Sequence, residues 1–179
     1  MQWDPKQACD LSSANLQALF DNRIPAIRIR DFATAHECRA FADSMRKRKL
    51  RYVQGNTDRP SASFDRQRIG YIGLTQFKYK LRPMGDYLQA SEDSTARATA
   101  VFSESFNPVQ RMIALLESTA DATASIGTEG GRQYSHAISR NSNDGLGLHA
   151  NYAPYQARKL SVVDATAQLA WNFYAEIPD

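Results

Sequence analysis

The sequence predicts an α+β protein, with helices over the first two thirds and antiparallel strands after them. Three observations lead there. Apolar residues recur at the helical period in several stretches before residue 120. From Asp121 the pattern changes to small and β-prone residues, broken at Gly130-Gly131 and Asn143-Asp144-Gly145, which are strong hairpin or loop signals. The composition, 42% hydrophobic and 23% charged over 179 residues, is that of one globular domain rather than a disordered chain or two full domains.

The elements follow in order. Ser12 or Ser13 caps a short helix with Leu16, Leu19 and Phe20 on one face. Pro25 stops helix and opens an extended segment, Ala26 to Arg30, in which Ile27 and Ile29 alternate with Arg28 and Arg30 as in a half-buried strand. Thr34 and Glu37 have capping-box spacing, and the helix they open carries Cys38, Phe41, Ala42 and Met45. Gln54 to Phe64 reads as a loop and Arg68 to Leu74 as a strand. Met84 to Gln89 and Thr95 to Ser105 read as two separate helical stretches. Asn107-Pro108 starts another, with Val109, Met112, Ile113 and Leu116 in period.

Three strands are expected after residue 121. Gln133 to Arg140 places Tyr134, His136, Ile138 and Arg140 on one side and Ser135, Ala137 and Ser139 on the other. Leu146 to His149 is the second. Ala165 to Tyr174 is the third, with Ala167, Leu169, Trp171 and Phe173 on one face and Gln168, Ala170, Asn172 and Tyr174 on the other. Together they read as the opening strands of an antiparallel barrel or double sheet. The expected organisation is one domain over 1–179, with a helix-rich part at 1–120 and the first core strands at 121–179.

Several function classes drop out early. The chain has no run of about 18 apolar residues, so no membrane-crossing helix is expected. The start, Met1-Gln2-Trp3-Asp4-Pro5, lacks the apolar stretch of a secretory signal. Two cysteines, Cys9 and Cys38, are too few for a disulfide scaffold, and the expected compartment is the cytoplasm. The 22 Lys and Arg against 19 Asp and Glu leave a net charge of only +3. One basic run, Arg46-Lys47-Arg48-Lys49 with Arg51, falls where a helix should end. Cations there complement the helix dipole, and a solvated helix end is preferred over a nucleic-acid patch.

Chemistry centres on the histidines. His36 reads as an exposed residue in a first helical turn. His149 stands before Ala150-Asn151, and residues at i and i+2 of a strand face the same way, so His149 and Asn151 can converge on one point. An iron site of the 2-His-1-carboxylate kind uses this spacing for two of its ligands. A histidine hydrogen-bonded within the sheet is the plainer reading. His136 is a weaker substitute ligand, because it suits a pocket wall equally well. Asn172 and Tyr174 form either an inward polar row or a solvent-facing one.

Residues from about Ile24 to Pro178 resemble the non-haem iron, 2-oxoglutarate-dependent oxygenases, nearest the branch of small amino-acid hydroxylases and radical halogenases. The segments that carry the resemblance are Ile27–Phe32, Tyr71–Phe77, Tyr134–Arg140, Leu148–Pro154 and Gln168–Tyr174, in that order and spacing. The resemblance implies a double-stranded β-helix (jelly-roll) core built here only in part. It implies Fe(II) at His149 and Asn151, 2-oxoglutarate near Asn172 and Tyr174, and a dioxygenase reaction with dioxygen on a small amino-acid-like substrate. Asn151 stands where a hydroxylase has its carboxylate and a halogenase a small residue, so hydroxylation and halogenation both stay open. No histidine follows His149, and Arg158 and Lys159 precede the last segment. The distal histidine and the 2-oxoglutarate-binding arginine are therefore expected to be lacking, as in a fragment without assigned catalytic residues. The rival expectation is a non-catalytic interaction module, able to self-associate through an open sheet edge.

Overall fold

The computed structural model describes residues 8–52, 70–74, 79, 81–141, 160–164 and 167–177. They form a mixed helix and sheet fold with four α-helices and two small antiparallel sheets. Helix α1 spans Ser13–Phe20, and Ser12 caps it by accepting the Asn15 N–H at 3.2 Å. Its buried residue is Ala18, while Phe20, expected on the inner face, stays 42% exposed. Asn22, with φ 55°, turns the chain after it.

The segment at Ala26 to Arg30 is a correction to the strand expected there. Its ladder shrinks to one parallel bridge between Ile27 and Cys9, in which Arg28 N–H donates to the Cys9 carbonyl at 2.8 Å. The alternation survives, with Ile27 and Ile29 half-buried and Arg28 and Arg30 exposed.

Helix α2, Ala35–Arg46, opens on the capping box: Thr34 N–H donates to Glu37 at 2.8 Å and Glu37 N–H to the Thr34 hydroxyl at 3.2 Å. It buries Phe41, Ala42, Ser44 and Met45. Strands β1 (Arg51–Tyr52) and β2 (Gly70–Gly73) pair antiparallel, and β2 is buried along its whole length.

Helix α3 runs unbroken over Met84–Phe102, 19 residues where the sequence suggested two pieces. Large apolar residues lapse at 90–94, which hid the continuity. Ser91 and Ser94 are nonetheless 0% and 1% exposed. Their small side chains lie at the middle of the helix, and the Ser91 hydroxyl donates to the Gln133 carbonyl at 3.0 Å. Helix α4 (Pro108–Thr119) is capped by Asn107, which accepts the N–H groups of Val109 and Gln110 at 3.0 and 3.1 Å.

Strands β3 (Thr128–Glu129) and β4 (Arg132–Gln133) form a hairpin around Gly130 and Gly131, whose φ values of 54° and 79° are those of a primed turn. Strand β5 (Ile138–Asn141) completes the order β1-β2-β5, with Gly73 opposite Ile138 and Gly70 opposite Asn141. The continuous strand expected over Gln133 to Arg140 is thus two short ones. Residues 134–137 leave the ladder, and Tyr134 is buried.

A 3₁₀ turn covers Ser161–Asp164. Residues 167–174 are a further correction: among the described residues they join no sheet. Side chains hold this segment in place of a ladder. Phe173 packs against Phe32, Phe41 and Phe106 with ring centroids 5.4, 5.7 and 5.4 Å away. Trp171 rests on Phe32 but stays 44% exposed. The expected loop at Gln54 to Phe64 and strand at Leu146 to His149 lie outside the described residues. None of the described helices is long and apolar enough to cross a membrane.

Candidate functional site

Strand pairing and aromatic packing bring together four segments that lie far apart in the chain. The β2–β5 ladder sets Tyr71 opposite Arg140 and Ile72 opposite Ser139. Gly73 makes this close approach possible. At its φ of 125°, a Cβ would stand 2.5 Å from the Ala137 carbonyl oxygen. On the other side Phe32 meets Trp171 and Phe173.

His149 and Asn151 lie outside the described residues. Asn172 and Tyr174 are described, and both are exposed, Tyr174 at 68%. His36 is exposed. His136 is half-buried, with Nδ1 3.3 Å from the Tyr134 carbonyl oxygen. Among the described residues no three His, Cys, Asp or Glu side chains gather to hold a metal ion. The two donors named from the sequence are one imidazole and one neutral amide. That pair falls short of the two histidines and carboxylate that hold iron in such sites.

Two arginines of the basic run are paired within the molecule, while Arg46, Lys47 and Lys49 are exposed. Arg46 pairs with Asp43 and Glu176. Arg48 pairs with Glu104 and donates to the Ala100 carbonyl at 2.7 Å, near the end of α3. The guanidinium there meets the negative end of the helix dipole.

Two polar clusters were not visible in the sequence. In the first, Arg111 of α4 forks onto Glu37 at 2.5 and 3.0 Å and donates to the Phe32 carbonyl at 2.9 Å. Its guanidinium carbon lies 4.3 Å from the centroid of the Phe106 ring. The Arg111 hydrogen bonds, and after them the Thr34 N–H, hold the Glu37 carboxyl down at about 2. In the second, one oxygen of Glu129 accepts the Tyr134 hydroxyl at 2.5 Å, the Ser161 N–H at 2.8 Å and the Ser161 hydroxyl at 3.0 Å. These donors, Tyr134 foremost, hold Glu129 below its ordinary range. Burial above all, and then Glu129, pushes the Tyr134 hydroxyl up.

A carboxylate held low is a poor proton acceptor, so Glu129 does not activate Ser161 as a nucleophile. The cluster acts as a clamp between the hairpin and the 3₁₀ turn. Its partners are 32 residues apart in the chain, and no short motif marks them.

No protein-family model matches the chain, and no curated protein or solved structure matches it.

Proposed function

We propose that the chain derives from a non-haem iron, 2-oxoglutarate-dependent oxygenase, hydroxylating or halogenating, that acts on a small amino-acid-like substrate. In this reading the two short sheets belong to a double-stranded β-helix core, Fe(II) is held at His149 with Asn151, and 2-oxoglutarate lies near Asn172 and Tyr174. One observation supports it best. Four of the five segments that resemble this family pack in one body: Tyr71–Gly73 with Ile138–Arg140 in a ladder, and Phe32 with Trp171 and Phe173 in an aromatic cluster. Bound iron and 2-oxoglutarate would supply the oxidising chemistry; the protein contributes position and a dry pocket.

The test is anaerobic titration of Fe(II) with 2-oxoglutarate present, followed by metal-to-ligand absorption. The expected result is a faint band that needs high iron and vanishes in His149→Ala. Iron binding that ignores His149 overturns the assignment. A second reading, a non-catalytic interaction module derived from the same fold, is favoured by the exposed apolar residues Leu169, Trp171, Tyr174 and Ile177.

A further inference from the structure

The Glu129 clamp closes on a hydroxyl that can itself be modified. The Ser161 Oγ stands 3.0 Å from the Glu129 carboxylate and 3.1 Å from the Tyr134 hydroxyl. Ser161 is exposed, while Leu160 and Val163 on either side of it pack in the cluster of Tyr134, Tyr87 and Leu74. Among the described residues the partners of the Ser161 hydroxyl are that carboxylate and that phenol, and neither is a cation.

The sequence singles out the same serine. An arginine stands three residues before a serine at two places, Arg132 before Ser135 and Arg158 before Ser161. The two are not equivalent. Arg132 is paired with Glu92, and the Ser135 N–H donates to the Tyr87 hydroxyl. Ser161 alone has a second cation, Lys159, two residues before it, and the apolar pair Val162-Val163 after it. Kinases select their substrates by charge patterns of this kind, read by acidic subsites. We propose that Ser161 is a phosphorylation site for a kinase that reads Arg158 and Lys159, and that its phosphate opens the clamp between the β3–β4 hairpin and the 3₁₀ turn. In the transfer, the Ser161 Oγ bonds to the γ-phosphorus of a nucleoside triphosphate, the bond to the departing diphosphate breaks, and the hydroxyl proton passes to the kinase's base. The product carries about −1.5 to −2 charges at pH 7. The hydrogen bond to Glu129 has lost its proton, and like charges face each other where a donor met an acceptor. The kinase takes Ser161 in the open arrangement, and the phosphate keeps the clamp from closing again. Neither step depends on iron or 2-oxoglutarate.

The test treats the full chain with the catalytic subunit of cyclic-AMP-dependent protein kinase, which reads basic residues, and MgATP. Peptide mass spectrometry locates the phosphate. The expected result is modification at Ser161 in preference to Ser135, slowed by about tenfold or more in Arg158→Ala. Amide exchange should then quicken over Thr128–Gln133 and Ser161–Asp164 in the phosphorylated chain. Glu129→Gln removes the like charge, so phosphorylation of that variant should change its exchange less. Phosphate at Ser135 instead of Ser161, a chain left unmodified, a rate indifferent to Arg158→Ala, or exchange that phosphorylation does not change overturns the proposal.

Discussion

The cluster around Phe41 and the cluster around Tyr87 use opposite ends of α3. At the C-terminal end, Ala98, Val101 and Phe102 pack with Phe41, Met45, Ile72 and Phe106, and Phe32 and Phe173 close over them. At the N-terminal end, Tyr87 and Leu88 pack with Leu74, Tyr134 and Leu160. The first contact set has no polar side-chain atom. In the second, the Tyr87 hydroxyl accepts the Ser135 N–H at 3.2 Å and the Tyr134 hydroxyl donates to Glu129. The difference shows how two regions with similar burial divide the work. Hydrocarbon burial is non-directional and tolerates approximate geometry. A buried tyrosine instead needs a partner at the right place, and here that partner fixes where the chain goes next.

The largest expected effect tests the first cluster. Phe41→Ala removes a ring that touches Phe102, Phe106 and Phe173, and should cost about 3–5 kcal/mol in urea unfolding. Leu88→Ala in the second cluster should cost less, about 2–3 kcal/mol, because Tyr87 and Tyr134 remain tied by their hydroxyls. Equal costs would erase the distinction. Gly73→Ala strikes the strand between the two clusters, since Ile72 belongs to one and Leu74 to the other. Its positive φ and the nearby Ala137 carbonyl leave no room for a methyl group, and a loss of about 2–3 kcal/mol is expected. A neutral result there would mean that Gly73 does not set the spacing of the β2–β5 ladder.

The same contrast explains what could be read from the chain. Periodicity locates α2 because Phe41 and Met45 recur on the face that the hydrocarbon cluster buries, and α4 because its period includes the buried Val109. Local chemistry located Thr34 with Glu37, the Asn107 cap and the Gly130-Gly131 turn. The sequence suggests two pieces for α3 because Ser91 and Ser94, though buried, are polar residues that interrupt the apolar period. Asn22 and Asp121 turn the chain after α1 and α4 in left-handed conformations without the glycine that usually advertises an end. Alternation over Ala165 to Tyr174 suggests a two-sided strand, but residues 167–172 are all exposed and only Phe173 turns toward the core; the pattern carries no information about a neighbouring strand. For the site, Asn172 and Tyr174 are exposed, and His149 and Asn151 fall outside the described residues. The Glu129 and Arg111 clusters join distant residues and left no local trace.

The second cluster's polar handle is sharpened by Tyr134→Phe. The ring still fills its place, but Glu129 and Ser161 lose a shared partner, so a loss of about 1 kcal/mol is expected in urea unfolding. Hydrogen exchange should rise at Ser161, whose N–H relies on Glu129. An unchanged exchange rate there would reduce the clamp to ordinary packing.

The smallest effect at neutral pH, and the one that bounds the comparison, concerns Arg111→Lys. The hydrocarbon cluster is not free of charge at its rim, because Arg111 covers Phe106 while it grips Glu37. A lysine keeps a cation near that ring but loses the two-pronged contact with the carboxylate. The Glu37 carboxyl sits at about 2 in the fold against an ordinary 4.5, so its contribution is fully present above 4.5 and is lost as pH falls toward 2. In Arg111→Lys the Glu37 titration, followed by carboxyl carbon NMR, should move up toward 4.5, and acid unfolding should begin at a higher pH. The Thr34 N–H and hydroxyl still donate to the carboxylate, at 2.8 and 3.1 Å, and should keep part of the depression. A Glu37 titration that does not move would assign the depression to the helix cap alone, and would leave Arg111 as a cover for Phe106 rather than the tie between α2 and α4.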